Sequence, residues 1–258
     1  MSRFHTDDPD LGYSLQWAGQ GAAGSGKTHF LLTAPEPVVV HLFNDPGGVS
    51  KLKRSHEAFT HRDIRWVEYN FNPGKLTLAD RPKAAQDELA RFLENYEVSL
   101  AGARTVGWDK EDLVYELIRY ARLEYFTDKP ASYYEINNEY RALFHDAAAA
   151  GVNLGVLRGM KEKWGQNAKG SPVGLGINEP RGQKFVSEIV EVVLQHRWDN
   201  EDREFKVMIA PPSQRNDEGP KLRVGPAVDL IGMEFGNFDF VQLALAIYPE
   251  TTPDDWGL

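Results

Sequence analysis

Short apolar runs alternate with amphipathic stretches along most of this chain, and polar turns separate them. Near-continuous apolar runs are typical of buried parallel strands, and aromatic-rich alternation is typical of half-exposed strands. The runs that predict strands are 13–18, 37–43, 64–71, 104–109 and 152–157. Apolar spacings of three and four residues predict helices, at 28–32, 82–98, 111–125 and 134–150. Strands that alternate with helices indicate an α/β fold with a mostly parallel sheet.

The C-terminal third follows a different pattern. Residues 165–182 contain five glycines and two prolines but no apolar periodicity, which predicts a long mobile loop. The apolar runs 186–198 and 203–210 flank a polar turn and predict an antiparallel hairpin, although the first run also fits a helix period. A small helix is expected at 238–248.

The stretch 21–28 carries the most specific chemical signal in the chain. Its sequence, Gly-Ala-Ala-Gly-Ser-Gly-Lys-Thr, matches G-x-x-x-x-G-K-[ST] without departure. Glycines allow the backbone to curl around a phosphate, and the curl directs successive N–H groups inward as an anion-binding nest. The predicted nucleotide-binding residues are Gly21, Ala22, Ala23, Gly24, Ser25, Gly26, Lys27, Thr28 and His29.

The position of this motif supports the phosphate-binding interpretation. A predicted strand precedes it and a predicted helix follows it, and the helix dipole would add to the attraction for an anion. Lys27 is expected to reach the β- and γ-phosphates, and the Thr28 hydroxyl is expected to bind Mg²⁺. The alternative is a flexible Gly/Ser loop that carries a lysine by chance.

Three carboxylates are candidates for the chemistry around the phosphates. Asp109 ends a predicted strand, where a P-loop protein needs a carboxylate for Mg²⁺, although it could instead cap the following helix. Asp45 follows the strand 37–43 and would lie near the phosphates if that strand neighbours the first, with an ordinary turn residue as the alternative. Glu111 is a lesser candidate for activating water.

Two groups of cations complete the candidate site. The first follows the strand 152–157 and consists of Arg158, Lys161 and Lys163. These cations could face the γ-phosphate of the same subunit or of a neighbour, or could form a solvated charge cluster. The second group makes the glycine-rich stretch a candidate binding loop and consists of Lys169, Arg181 and Lys184.

Composition narrows the classes of function. The chain has no cysteine, which excludes disulfides and thiol chemistry and is compatible with the cytoplasm. Its net charge of −9 opposes binding to a polyanion over most of the surface. No apolar run approaches the roughly 20 residues that span a bilayer, so no membrane association is expected. The predicted division is an N-terminal arm at 1–12, one domain at 13–248 and a loose tail at 249–258.

Five stretches, taken in order, carry a resemblance to a known family: 21–28, 38–48, 104–109, 134–141 and 160–164. Their order and spacing resemble the RecA-like P-loop ATPases of bacteriophages, a group that includes ATP-dependent single-strand annealing proteins. The resemblance implies a three-layer P-loop NTPase with a RecA-like sheet, to which the predicted C-terminal hairpin is added. It also implies Mg²⁺-ATP, assembly into rings or filaments, and a DNA-facing role for residues 165–182 in the host cytoplasm.

Two departures from the family pattern concern the rate of hydrolysis rather than nucleotide binding. RecA-like enzymes usually place a glutamate after the second strand to activate water, whereas this chain has Asp45 there. Gly107 interrupts the apolar run of the strand that ends in Asp109.

The expected function is Mg²⁺-dependent ATP binding and hydrolysis in phage DNA recombination or replication, through single-stranded DNA. One rival is a nucleotide-gated assembly or regulatory protein with little turnover, which the acidic charge favours. The other is a small-molecule kinase, which predicts an arginine-rich lid, whereas residues 165–182 contain only Arg181. The sequence contains no guanine-reading Asn-Lys-x-Asp motif, which favours ATP over GTP.

Overall fold

A computed structural model describes residues 13–122, 130–166, 171–209 and 229–257 of the 258-residue chain. The predicted arm at 1–12 and the predicted DNA-binding cation Lys169 lie outside the described residues. Within these ranges, none of the helices combines the length and the apolar character needed to cross a membrane.

Strands and helices alternate through most of the described chain, as the apolar pattern predicts. The strands are β1 (Gln16–Gln20), β2 (Val38–Phe43), β3 (Ile64–Tyr69), β4 (Thr105–Asp109), β5 (Asn153–Arg158), β6 (Met160–Gln166), β7 (Pro172–Pro180), β8 (Val192–Asp199), β9 (Glu204–Ile209) and β10 (Glu234–Gly236). The α-helices are α1 (Lys27–Leu31), α2 (Gly48–Ser55), α3 (Glu57–Thr60), α4 (Arg81–Gly102), α5 (Glu111–Ala121), α6 (Pro130–Ala149), α7 (Val186–Ile189) and α8 (Phe240–Ile247).

The central sheet has eight strands in the order β10-β9-β8-β1-β5-β4-β2-β3 among the described residues. All pairs from β8 to β3 are parallel, whereas β9 pairs antiparallel with both β8 and β10. The predicted α/β class, the mostly parallel sheet and the antiparallel hairpin of β8 and β9 are therefore confirmed. β1 lies inside the sheet and is buried along its whole length.

Helices cover both faces of the sheet, which gives three layers. On one face, α4, α5 and α6 pack Phe92, Leu117 and Phe144 against the strands. On the other face, α1, α2, α3 and α8 form a second core. β2 shows how one strand serves both cores, because Val40 and Leu42 belong to the second core and Phe43 to the first. Such two-sided burial explains the near-continuous apolar runs of the parallel strands.

Two glycines bring α1 close to the sheet. Gly107 of β4 and Gly155 of β5 are opposite each other in the parallel register. A Cβ on Gly107 would collide with Leu31 of α1, and one on Gly155 would collide with Trp17 and approach Leu31 to 2.9 Å. The glycine that interrupts the apolar run of β4 is thus explained by packing.

The prediction of a long loop at 165–182 was wrong in its secondary structure. β6 and β7 form a two-stranded antiparallel sheet there, with a register irregularity between Glu162 and Trp164. The sequence does contain a strand signal, because Val173, Leu175 and Ile177 alternate with smaller or polar residues. The high glycine content concealed this period of two.

The tail was also predicted wrongly, because residues 249–257 are not loose. Trp256 is fully buried, and its ring lies 5.7 Å from Phe240 and 5.6 Å from both Tyr13 and Tyr248. Its indole N–H donates to Thr251 Oγ1 at 3.0 Å. Burial of one large aromatic residue anchors an otherwise acidic segment.

Candidate functional site

The glycine-rich motif forms the turn between β1 and α1, at the carboxyl edge of the parallel strands. A side chain at Gly21 would collide with the carbonyl oxygen of His196, and one at Gly26 would lie 2.7 Å from the Phe205 ring. Gly24 and Gly26 adopt φ values of 76° and 90°, which glycine reaches without strain. The glycines of the motif therefore serve both the close packing and the curl of the loop.

The Lys27 side chain folds over its own loop. Its Nζ donates to the carbonyl oxygens of Gly21 at 2.9 Å and Ala22 at 2.7 Å, and lies 3.4 Å from Ser25 Oγ. Burial lowers the pKa of Lys27, and the nearby Asp109 carboxylate opposes this shift. The loop thus holds a cation at its centre, bound to weak neutral acceptors that an anion can replace.

Backbone N–H groups of the loop are further donors. Among the described residues, the N–H groups of Gly24, Gly26, Lys27 and Thr28 have no hydrogen-bond acceptor. Neighbouring unpaired N–H groups in a curled backbone form an anion-binding concavity. α1 has only five residues, so these donors and Lys27 contribute more to an anion site than the predicted helix dipole.

Thr28 and Asp109 are in direct contact, as the sequence predicts for two metal-binding residues. The Thr28 hydroxyl donates to Asp109 Oδ2 at 3.0 Å. Burial raises the pKa of Asp109, whereas the hydrogen bond from Thr28 lowers it. β5 separates β4 from β1 in the sheet, so Asp109 approaches the loop across one intervening strand.

Asp45 lies close to Asp109 but not as predicted. β2 neighbours β4 and β3 rather than β1, so the condition on which its placement beside the phosphates depended is not met. Asp45 Oδ2 lies 3.7 Å from Lys110 Nζ, and the same ammonium donates to the Asn44 carbonyl at 2.8 Å. The negative charge of Asp45 contributes to the raised pKa of Asp109.

Glu111 and Arg158 form a fully enclosed ion pair and do not fit their predicted roles. Arg158 Nε lies 3.3 Å from Glu111 Oε2, and Tyr140 donates to the other carboxylate oxygen. Arg158 also donates to the carbonyl oxygens of Arg181 and Gln183, each at 2.9 Å. Burial raises the pKa of Glu111 to about 7, although Arg158 opposes this. A buried, paired carboxylate cannot activate water at the loop, and a buried arginine cannot reach a neighbouring subunit.

The remaining predicted cations lie on or beside the hairpin of β6 and β7. Lys161 pairs with Glu179 at 3.5 Å, and Arg181 Nε donates to the Met160 carbonyl at 3.3 Å. Lys184 is exposed, and Lys163 is half-buried on β6. Within the described residues, no hydrogen bond or ion pair joins these four side chains to the candidate phosphate-binding loop at 21–28, called the phosphate loop below.

Lys110 is a site residue that the sequence interpretation missed. It follows Asp109 directly and is the N-cap residue of α5, in a left-handed conformation with φ of 67°. Its position next to a predicted metal-binding carboxylate was a usable signal. Its actual partners, Asp45 and Asn44, follow a different strand, and the sequence alone does not identify such a contact.

The donor set fits Mg²⁺ only together with phosphates. Mg²⁺ is usually bound by one or two carboxylates plus substrate phosphates and water, rather than by a complete protein cage. Thr28 and Asp109 supply such a partial set. In the described part of the chain, no cluster of three or more histidine or acidic side chains suited to a metal occurs.

Neither a comparison with protein-family models nor a search of curated proteins finds a match to this chain.

Proposed function

We propose that this chain is a RecA-like P-loop ATPase that binds Mg²⁺-ATP and acts on single-stranded DNA. The observation that carries the proposal is the convergence of Lys27, Thr28 and Asp109 with unpaired loop N–H groups at the end of a central parallel strand. Ligands of open α/β sheets bind at this edge. The strand order, with the loop strand inside a mostly parallel sheet, supports the family resemblance.

The residues of the candidate site have distinct roles in the proposed reaction. The loop N–H groups and Lys27 stabilise negative charge on the β- and γ-phosphates. Thr28 and Asp109 would hold Mg²⁺, which would supply positive charge beside the phosphate oxygens. Of the carboxylates considered, Asp45 remains the candidate for orienting the attacking water, because Glu111 is sealed inside the protein.

One structural observation favours the nucleotide-gated alternative with little turnover. Asp45 lies 3.7 Å from Lys110, and its side chain is shorter than the glutamate usual in the family, so it reaches less far towards an attacking water. On this alternative the same residues bind Mg²⁺-ATP, and the nucleotide changes self-association into rings or filaments instead of being hydrolysed rapidly.

The Lys27→Ala variant tests the nucleotide site. We expect it to abolish phosphate release from Mg²⁺-ATP, because it removes the cation at the centre of the loop. Lys83→Ala, at an exposed position on α4, is the control and should retain wild-type turnover. Substantial ATPase activity in Lys27→Ala would overturn the assignment.

Adding single-stranded DNA to the same assay tests the proposed role. Stimulated phosphate release, together with DNA binding that weakens as salt rises, is expected for an ATPase that contacts a polyanion. Absence of DNA binding at low salt, with and without nucleotide, would remove DNA from the proposal. Tight ATP binding without hydrolysis would favour the nucleotide-gated protein, and a phosphorylated small molecule in place of free phosphate would favour a kinase.

A further inference from the structure

The hairpin of β8 and β9 forms a wall beside the phosphate loop. In the parallel register Gln20, the last residue of β1, is opposite Gln195 of β8. Residues 196–199 therefore continue past the end of β1, alongside the loop that leaves it. The contact between the His196 backbone and Gly21 confirms how close the hairpin and the loop are.

An aromatic pair lies on the side of this wall that faces α1. The His196 ring contacts Phe30 of α1 at a centroid distance of 5.4 Å, and side chains two residues apart on a strand share a face. Trp198 is therefore directed to the same side, further out. Phe205 is opposite Trp198 in the antiparallel register, and the two rings lie 4.9 Å apart, edge to face.

His29 extends the aromatic surface onto α1. Its ring lies 5.7 Å from Phe205 on one side, and 4.9 Å from both His56 and Phe59 on the other. Phe205 also closes against Gly26 of the loop. A continuous aromatic surface thus begins at the last glycine of the phosphate loop and ends at Trp198, which is 43% exposed.

The strand order fixes which end of a bound nucleotide would meet this surface. β4, which carries Asp109, lies on one side of β1, whereas β8 and β9 lie on the other side. A triphosphate whose metal-bound end is directed to Thr28 and Asp109 presents its opposite end towards the hairpin. The group attached there, through one ribose, is the base.

We propose that Trp198, supported by Phe205 and His29, is the stacking platform for the purine base of the bound nucleotide. This inference rests on the proposed function, because it requires the loop to bind the phosphates of the same molecule. The neighbouring charges do not compete for the base, since Arg197 pairs with Asp199 at 2.7 Å and with Glu234 at 2.6 Å.

Recognition by stacking predicts a particular selectivity. Aromatic side chains stack on the face of any base, without reading the hydrogen-bonding groups at its edge. ATP and GTP should therefore bind with similar affinity at this platform, whereas CTP, with a smaller ring, should bind more weakly.

The test compares Mg²⁺-ATP with Mg²⁺ and inorganic triphosphate, which lacks the base, by calorimetry on the full chain. Trp198→Ala should weaken ATP binding by roughly 5- to 150-fold, the range for loss of one aromatic–base stack, and should leave triphosphate binding unchanged. Trp164→Ala is the matched control, because Trp164 is an exposed tryptophan on β6, 64% accessible, outside the proposed platform. It should alter neither affinity.

A second variant serves if Trp198→Ala does not fold. ATP stacked on Trp198 should quench tryptophan fluorescence in the wild-type protein. Trp198→Phe keeps an aromatic face and should retain ATP affinity, but it should lose this quenching. Equal weakening of ATP and triphosphate in Trp198→Ala, unchanged ATP affinity, or unaltered quenching in Trp198→Phe would overturn the platform. If the wild-type protein binds ATP no more tightly than triphosphate, only the platform fails; if it binds neither, the proposed function fails as well.

Discussion

At the scale of single residues, the site shows a loop prepared for an anion. Lys27 is satisfied by carbonyl and hydroxyl oxygens of its own loop, and Thr28 by Asp109. These are hydrogen bonds that phosphate oxygens and a cation can replace without moving the backbone. Most of the free-energy cost of ordering the loop is therefore incurred when the protein folds rather than when a ligand binds, and this raises the affinity for a matching ligand.

Asp109→Asn tests the metal role at this scale. Loss of the negative charge should lower the affinity for Mg²⁺ in the presence of ATP by about 10-fold or more, as substitutions around metal sites do. A titration of Mg²⁺ at fixed ATP, followed by calorimetry, measures this directly. Asp45→Asn is the comparison, and it should change Mg²⁺ affinity much less. Equal effects of the two substitutions would contradict the assignment of the metal to Asp109.

The contact between Thr28 and Asp109 could be predicted from sequence, whereas other pairs could not. The motif identifies Thr28, and the end of a strand identifies Asp109, so both positions follow from local rules. The Glu111–Arg158 pair depends on how α5 packs against the end of β5, which no local pattern encodes. For this reason the sequence pattern suggests roles at the loop for Glu111 and Arg158 that their burial does not permit.

At the scale of elements, the distance between α1 and the sheet depends on two glycines. Gly107 and Gly155 leave the space that Leu31 fills. In the sequence Gly107 is only an interruption of an apolar run, because packing against a helix distant in sequence is not visible there. The elements themselves were largely predictable from the apolar period. The period of two in β7 was concealed by its glycines, and the burial of Trp256 is not visible in the sequence.

Gly107→Ala should destabilise the fold by about 1–3 kcal/mol, the usual cost of overpacking a core. Because α1 must move outwards, nucleotide affinity should fall with stability. Urea unfolding measures the first effect and calorimetry the second. Gly102→Ala is the control, since a Cβ at the end of α4 meets no atom within 4 Å. A fully stable Gly107→Ala protein with unchanged affinity would contradict this account.

At the scale of the whole molecule, two buried histidines couple stability to pH. Burial lowers the pKa of His41 to about 3, and burial together with Lys27 does the same for His196. The folded state therefore stays unprotonated at these positions while the unfolded state binds protons below its pKa of about 6.5. The contribution of the two neutral histidines to the free energy of unfolding is fully present above pH 6.5. It is lost progressively as pH falls towards 3.

His41→Gln should reduce this acid sensitivity. In the wild-type protein, each such histidine should lower the free energy of unfolding by about 1.4 kcal/mol per pH unit between pH 6 and pH 4. Urea unfolding at pH 7, 6 and 5 should show a shallower decline for His41→Gln, although its absolute stability falls with loss of the hydrogen bonds to Tyr69 and Ser99. His61→Gln, at an exposed position, should retain the wild-type slope; an equal slope in His41→Gln would count against the explanation.

The interior position of β1 has a consequence for how the site can fail. Strands at the two ends of the sheet, β3 and β10, can open locally while the rest of the protein stays folded. β1 is hydrogen-bonded on both edges and buried throughout, so we expect it to open only at a higher free energy than the peripheral strands, because opening breaks hydrogen bonds on two sides and exposes both cores. The phosphate loop is thus attached to the part of the molecule that opens last, and fraying at the periphery leaves its geometry intact.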